Sequence, residues 1–348
     1  MAEQRAPFTT VIMPAYNADG SIAASVRSVL DQTVPDLRLI VVDDGSTDRT
    51  RQVLDALARE DPRLLPLTVE NGGPAAARNR ALELLDADTD FVMFLDADDL
   101  LLPDALAYAL EGTRAGADLV IFGFTILGTD GSLRDYCEPE QLLPAEELGT
   151  ALPRLYKANL LNQVWGKLFR AEPIRRAGIR FPDYRWGEDR LFVFSFLEQA
   201  RSVHVLPDCK YRYIMHEGES LISRYYDRKF PVCLEVDQRM EALCRRFAVN
   251  DEADCRYMFA KSVFSCLTTL FAPSCPLGEE EKRQAVQQIL DEPQVRRRCR
   301  DTRAGLPTEL LCRCLRSGSA GLNLLVFRLV AWTGQTAPAL FMALKHRK

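Results

Sequence analysis

The stretch Phe91-Val92-Met93-Phe94-Leu95-Asp96-Ala97-Asp98-Asp99 sets an unbroken apolar run directly before three carboxylates. The run has the length and composition of a buried strand, so the charges that follow must lie where that strand leaves the core. Carboxylates this close repel one another unless a divalent cation or a ligand hydroxyl compensates them. Helix capping by Asp98 or Asp99 accounts for one of the three and leaves two unexplained. Hard oxygen donors favour Mn²⁺ or Mg²⁺, with water and a diphosphate completing the coordination.

Upstream, apolar runs at 8–13, 37–42 and 64–69 read as further buried strands, and 20–31, 48–59 and 75–86 carry helical spacing. This β-α-β-α-β-α-β alternation predicts an α/β fold with a mostly parallel central sheet, right-handed crossovers, and ligands beyond the carboxyl ends of the strands. The first strand runs into Pro14-Ala15-Tyr16-Asn17, where an aromatic ring and an amide could meet a planar ligand or simply form a rigid loop. The second ends in Asp43-Asp44-Gly45-Ser46-Thr47-Asp48. Asp44-Gly45 with Ser46 or Thr47 reads as turn and cap chemistry, whereas Asp43 can accept a hydrogen bond from a base imide. The third is followed by Gly72-Gly73-Pro74-Ala75-Ala76-Ala77-Arg78-Asn79. Arg78, in the first turn of the next helix, suits an anion or a base carbonyl; the alternative is a solvated arginine.

Downstream the pattern predicts a helix over 103–114, a strand at 118–122, a hairpin over 124–136 around Asp130-Gly131, and a helix over 144–158. Extended chain follows at 162–169 and 202–213, with a helix over 187–199 between. That helix opens on Gly187-Glu188-Asp189. Acidic residues in a first turn are common on dipole grounds, but a carboxylate at a crevice rim can also act as a general base. His216, after the last strand, reads as a metal or phosphate contact or as an exposed loop histidine. Beyond 229 the chain reads as wholly helical, with pauses at 249–251, 273–276, 293 and 307. We therefore expect a catalytic domain over 1–229 and a helical region over 230–348.

Composition bounds the partners. The chain has 348 residues, 47% hydrophobic and 27% charged, and a net charge of −5, so no global positive field draws it to nucleic acid. The basic residues concentrate late: 296–348 carries a net +9, which leaves −14 for 1–295. Ten cysteines include no Cys-x-x-Cys pair, and the N-terminus shows no export signal. The expectation is a cytoplasmic protein with reduced thiols. Cys233, Cys244, Cys255 and Cys266 recur every 11 residues and predict one face of a long helix, as buried small residues rather than a ligand row. In 317–344 the sole charge is Arg328, yet Asn323, Gln335 and Pro338 make a poor spanning helix. Interfacial docking on the inner face of the plasma membrane would bury Leu324, Leu325, Phe327, Trp332, Phe341 and Met342, with the basic residues meeting anionic headgroups. The competing reading is a helical cap or a homo-oligomer interface.

Taken together, Val11–Asn17, Val42–Asp48, Gly73–Asn79, Asp96-Ala97-Asp98-Asp99 and Gly187-Glu188-Asp189 resemble, in order, the family 2 glycosyltransferases of the GT-A fold, over about residues 8–225. The resemblance implies a Rossmann-like GT-A domain and inverting transfer from a nucleotide-sugar donor, most simply a UDP-sugar. The acceptor it implies is a glycan or lipid-linked hydroxyl in cell-surface polysaccharide synthesis. It implies a nucleotide site at Pro14, Ala15, Tyr16, Asn17, Asp43 and Arg78, ribose or metal-bound water at Asp96, and Mn²⁺ or Mg²⁺ on Asp98, with His216 completing the metal or diphosphate site. Asp189 matches the catalytic base beside Glu188, and Trp165 and Lys167 match a segment lining the sugar and acceptor cleft. The rivals are a nucleotidyltransferase, whose activating phosphate loop is missing, and a nucleotide-sugar-binding protein without catalysis. No Gly-x-Gly-x-x-Gly follows the first strand and no P-loop is present.

Overall fold

We describe a computed structural model of the chain over residues 6–216, 224–300 and 306–336. It divides into two compact units, 1–151 with 158–217, and 152–157 with 218–348.

In the first unit the expected alternation is present as β1 (Thr9–Ala15), α1 (Ile22–Leu30), β2 (Leu37–Asp43), α2 (Thr50–Glu60), β3 (Leu64–Thr68), α3 (Pro74–Glu83) and β4 (Phe91–Phe94). There follow β5 (Leu100–Leu101), α4 (Ala105–Thr113), β6 (Leu119–Leu127), β7 (Leu133–Tyr136), β8 (Gln141–Pro144), α5 (Leu148–Lys157), β9 (Lys167–Arg170), α6 (Ala171–Ala177), α7 (Glu188–Leu197) and β10 (Ser202–Ile214). The sheet order is β3-β2-β1-β4-β9-β6-β10-β5, with β7 beside β6 and β8 beside β10. All strands of that path except β9 and β5 run the same way. Every residue of β1 and β4 is buried, as a strand covered on both faces requires. The chain builds outward from β1 through β2 to β3, then crosses back to place β4 on the other side of β1, so the order reverses there. A crevice opens beyond the carboxyl ends at such a point. Behind it, Phe94 packs edge-on against Phe169, Phe181 and Phe192, with centroids 5.4–5.8 Å apart. Each such pair adds roughly 0.5–1.5 kcal/mol beyond its buried area.

Three local expectations change. Residues 162–166 are bends rather than strand, because Gly166 is left-handed at φ +67°, and pairing begins only at Lys167. Helix α6 went unforeseen because Pro173 lies within it; the proline occupies the first turn, where no amide is owed, and Gly178 ends the helix at φ +61°. Residues 141–144, read as helix from 144, pair with β10 as β8.

The second unit contains α8 (Lys229–Arg246), α9 (Ala253–Thr269), α10 (Glu279–Asp291), α11 (Pro293–Arg300), α12 (Leu306–Arg316) and α13 (Ala320–Thr336). Helix α9 is its axis, packing against α8, α11, α12 and α13. The cysteine row does not lie on one helix: Cys233 and Cys244 belong to α8, Cys255 and Cys266 to α9, with a turn at Ala248 (φ +50°) between them. All four are buried, and the sulfurs of Cys244 and Cys255 face each other at 3.7 Å. Several of the basic residues meet acids of the same unit, Arg296 on Asp291, Arg297 on Glu241 and Arg298 on Asp237. Phe327 is corrected inward: it is fully buried beside Phe264, because α13 carries apolar residues on its exposed side too and periodicity could not choose its face. Its exposed stripe is Leu322, Leu325, Leu329 and Trp332, whereas Leu324 is half-buried. Phe341 and Met342 lie outside the described residues. Among the described residues, no helix is long and apolar enough to cross a membrane.

Candidate active site

The carboxylates after β4 divide into three environments. Asp96 accepts a 2.8 Å bond from Arg78. Asp98 points outward, half exposed, with Nε2 of His216 3.5 Å from its Oδ2. Asp99 is wholly buried and accepts from the Tyr211 hydroxyl at 2.6 Å and the Ile214 amide at 2.8 Å. The Tyr211 oxygen also accepts from the Asp96 amide at 3.4 Å, so one phenol ties both ends of the acidic turn to β10. Burial, with the charge of Asp96 second, pushes the Asp99 carboxyl up to about 8. The same two causes raise Asp98, opposed by His216.

Helix α3 starts at Gly73, left-handed at φ +86°, followed by Pro74 at its first position. Small residues Ala75, Ala77 and Ala81 are buried on its sheet face, which brings the helix close and its arginine inward. Arg78, placed at the nucleotide by resemblance, is 4% exposed and engaged elsewhere. It donates to Asp189 Oδ1 at 3.0 Å and to Asp96 at 2.8 Å, and lies 3.9 Å from Glu188. Gly187, at φ +86°, turns the chain so that α7 begins with those two acids. Burial raises the Asp189 carboxyl and Arg78 opposes the rise, while Asp96 adds to it. Glu188 is pushed up to about 7, by burial first and by Asp189 second. Lys167 is buried too; its ammonium donates to the carbonyls of Gln163 at 2.7 Å and Trp165 at 3.2 Å, and burial lowers it to about 7 against the pull of Asp189.

The ends of β1 and β2 form a second group. Tyr16 is 53% exposed at the crevice mouth, while Pro14 and Ala15 are buried within β1. Asn17, left-handed at φ +48°, accepts from the Thr47 amide at 2.8 Å and donates its own amide to Ser46 at 2.9 Å. Asp43 is buried and accepts from the Ser46 amide at 3.1 Å and the Thr68 hydroxyl at 3.3 Å. Sequence reasoning passed over Asp44 as turn chemistry. Its two oxygens accept from the amides of Gly72 and Gly73, each at 2.8 Å, which fastens the loop before α3 to the loop after β2. The paired glycines were the signal for such a clasp. Trp165 stacks on Tyr211 at 4.3 Å and meets Phe124 edge-on at 4.8 Å, forming an aromatic wall beside the acidic turn.

The structure thus brings Arg78, Asp96, Lys167, Glu188 and Asp189 into one cluster and pairs Asp98 with His216 beside it. Among the described residues, no three His, Cys, Asp or Glu side chains converge as a complete metal cage. An oxygen and an imidazole nitrogen on the open side of the turn fit a cation whose other positions are taken by water and a bound phosphate.

The profile of Glycosyl transferase family 2 matches residues 10–171. The chain is 33% identical over 210 residues to the putative teichuronic acid biosynthesis glycosyltransferase TuaG of Bacillus subtilis, covering 60% of this chain and 79% of TuaG. It is 30% identical over 214 residues to the uncharacterized glycosyltransferase EpsJ of the same organism, covering 60% of this chain. The match spans about three fifths of EpsJ, 61%. Residues 1–349 of S. aureus TarS, solved with UDP-GlcNAc, share the fold at a TM-score of 0.66 and 22% identity, over 94% of this chain and 92% of that one.

Proposed function

The chain belongs to glycosyl transferase family 2, and from that premise we propose that it is a metal-dependent, inverting glycosyltransferase. It moves a sugar from a UDP-sugar to a hydroxyl of a glycan or lipid-linked acceptor in cell-surface polysaccharide synthesis. The observation that carries this reading is the juncture of Asp96 and Asp189 on Arg78, which sets a donor-side acid and an acceptor-side base at one crevice. TarS with UDP-GlcNAc and TuaG in teichuronic acid synthesis support the donor and pathway class.

In the reaction, Asp189 accepts the proton of the acceptor hydroxyl as that oxygen attacks the anomeric carbon from the face opposite the diphosphate. The new C–O bond forms while the bond to the diphosphate oxygen breaks and its electron pair leaves with UDP, so the configuration inverts. A carboxylate whose pKa is raised by burial is a stronger base toward the acceptor hydroxyl, which general-base catalysis exploits. Tyr16 stacks on the base and Asp43 accepts from its imide, while Trp165 bounds the sugar and acceptor space. Asp98 and His216 would hold Mn²⁺ or Mg²⁺, which supplies charge neutralisation for the departing diphosphate. Docking at the inner face of the plasma membrane, through Leu322, Leu325, Leu329 and Trp332 of α13, would bring the protein to a lipid-linked acceptor.

Nucleotide release from UDP-, GDP- and dTDP-sugars, with Mn²⁺ or EDTA, tests the assignment. One donor should be turned over, with loss in EDTA, in Asp98→Ala and in Asp189→Asn. Absence of UDP binding would remove the reading. For docking, flotation with anionic liposomes should be lost in Leu325→Asp with Trp332→Asp.

A further inference from the structure

Arg78 does not have the features of a ligand contact. Its guanidinium is almost fully buried, and its two terminal nitrogens are committed to Asp189 and Asp96 at 3.0 and 2.8 Å. Beneath it the ring of Phe181 lies 5.4 Å from the guanidinium carbon. The next residue of the same helix seats that ring: the Asn79 side chain donates to the Phe181 carbonyl at 2.8 Å and accepts from its amide at 2.9 Å. Helix α3 therefore supplies both the cation and the clasp that fixes the surface under it. The Arg78 Nε has no hydrogen-bond partner among the described residues, so the hydrogen bonds of the fork go to these two carboxylates.

We infer that Arg78 is a positioning residue, whose guanidinium locks Asp189 and Asp96 to one buried cation and so sets the acceptor-side base in register with the donor-side acid. This rests on reading Asp189 as the base. A bidentate arginine fixes direction as well as charge, and a lysine in its place would keep only the charge. Arg78 from α3 and Lys167 from β9 favour its ionised form, as does the Val164 amide at 3.4 Å. Asp96 from the turn after β4 disfavours it, as does burial. Glu188, next to it on α7, is a further acid that is itself raised by the charge of Asp189. Arg78 is the sole cation among these in hydrogen-bond contact with the Asp189 carboxylate among the described residues.

The first arm of the test, a titration, needs no donor. Aspartate ¹³Cγ resonances of the full chain are titrated, with Asp189 assigned by its disappearance in Asp189→Asn, in wild type, Arg78→Lys and Arg78→Gln. The Gln variant should move the Asp189 midpoint up by about 1–3 pH units, the range over which a neighbouring arginine acts on a carboxylate. The Lys variant should stay near the wild-type midpoint while its donor turnover falls at every pH, because charge is kept and the fork is lost. An unmoved midpoint in a Gln variant that still unfolds cooperatively would overturn the inference. Should the Gln variant fail to fold, a Lys variant with wild-type turnover would overturn it equally. Turnover by Asp189→Asn is a separate readout: its persistence would overturn the base assignment, whatever the midpoints do.

Discussion

The two units each bury one arginine among three acids, and they finish the arrangement differently. In the first, Arg78 meets Asp96, Glu188 and Asp189. In the second, Arg298 meets Asp237 at 2.8 Å, Glu252 at 2.6 Å and Glu241 at 3.4 Å. Around Arg298 further donors close the set: Gln294 donates to Asp237 at 2.7 Å and Arg297 to Glu241 at 3.0 Å. Beside the Arg78 cluster, Lys167 is turned to backbone carbonyls. Both groups hold more negative than positive charge. One lies within a helical bundle, whereas the other lies at the end of a sheet, beside the crevice. Acids gathered at a crevice, with carboxyls raised by burial, mark the place a ligand fills.

Substitutions can break this contrast. Asp189→Asn should lower transfer by about 10²–10⁴-fold, the usual share of a general base, without lowering the thermal midpoint, because it relieves an excess of carboxylates. Turnover and melting curves on one preparation check both halves. Arg298→Ala should do the reverse. Removing the cation from buried acids costs roughly 3–5 kcal/mol of stability, read by urea unfolding, while turnover per folded molecule is unchanged.

Acidity sharpens the comparison. Burial raises the Asp237 carboxyl to about 6 in the folded chain, against Arg298, from an ordinary value of 3.8. The folded state therefore binds more protons than the unfolded state between about pH 4 and pH 6, and this group's contribution to stability declines as pH rises through that window. Asp237→Asn should flatten that part of the profile, measured as urea midpoints from pH 4 to pH 7 against wild type. The smallest effect belongs to the surface: Arg296→Ala breaks a largely exposed pair with Asp291 and should shift stability by no more than about 0.5 kcal/mol.

What the sequence discloses follows from where information is local. Strands β1, β2 and β4 were legible because doubly covered parallel strands are unbroken apolar runs, β3 was a shorter apolar run at the sheet edge, and the residues after all four are placed by topology alone. The union of Arg78 with Asp189 was not legible, since 111 positions separate them and no periodicity links a cation to its acids. Asp99 was hidden in another way. Nothing in Asp96-Ala97-Asp98-Asp99 tells which carboxylate turns inward until Tyr211 and Ile214 arrive from β10. Helix α13 has apolar residues on its exposed side as well as its buried one, and the buried Asn323 donates to the carbonyls of Cys314 and Ser319.

The Asp44 clasp bears on how such a protein could be re-engineered. A Cβ on Gly45 would come within 3.1 Å of the Asn71 amide nitrogen and 3.3 Å of the Val69 carbonyl oxygen, so these loops are fitted to each other at backbone level. Transplanting the segment before α3 from a homologue, to change donor preference, would carry over half of a lock. The portable cassette is 43–48 together with 70–79, and chimeras cut between them should be the ones that fail to express.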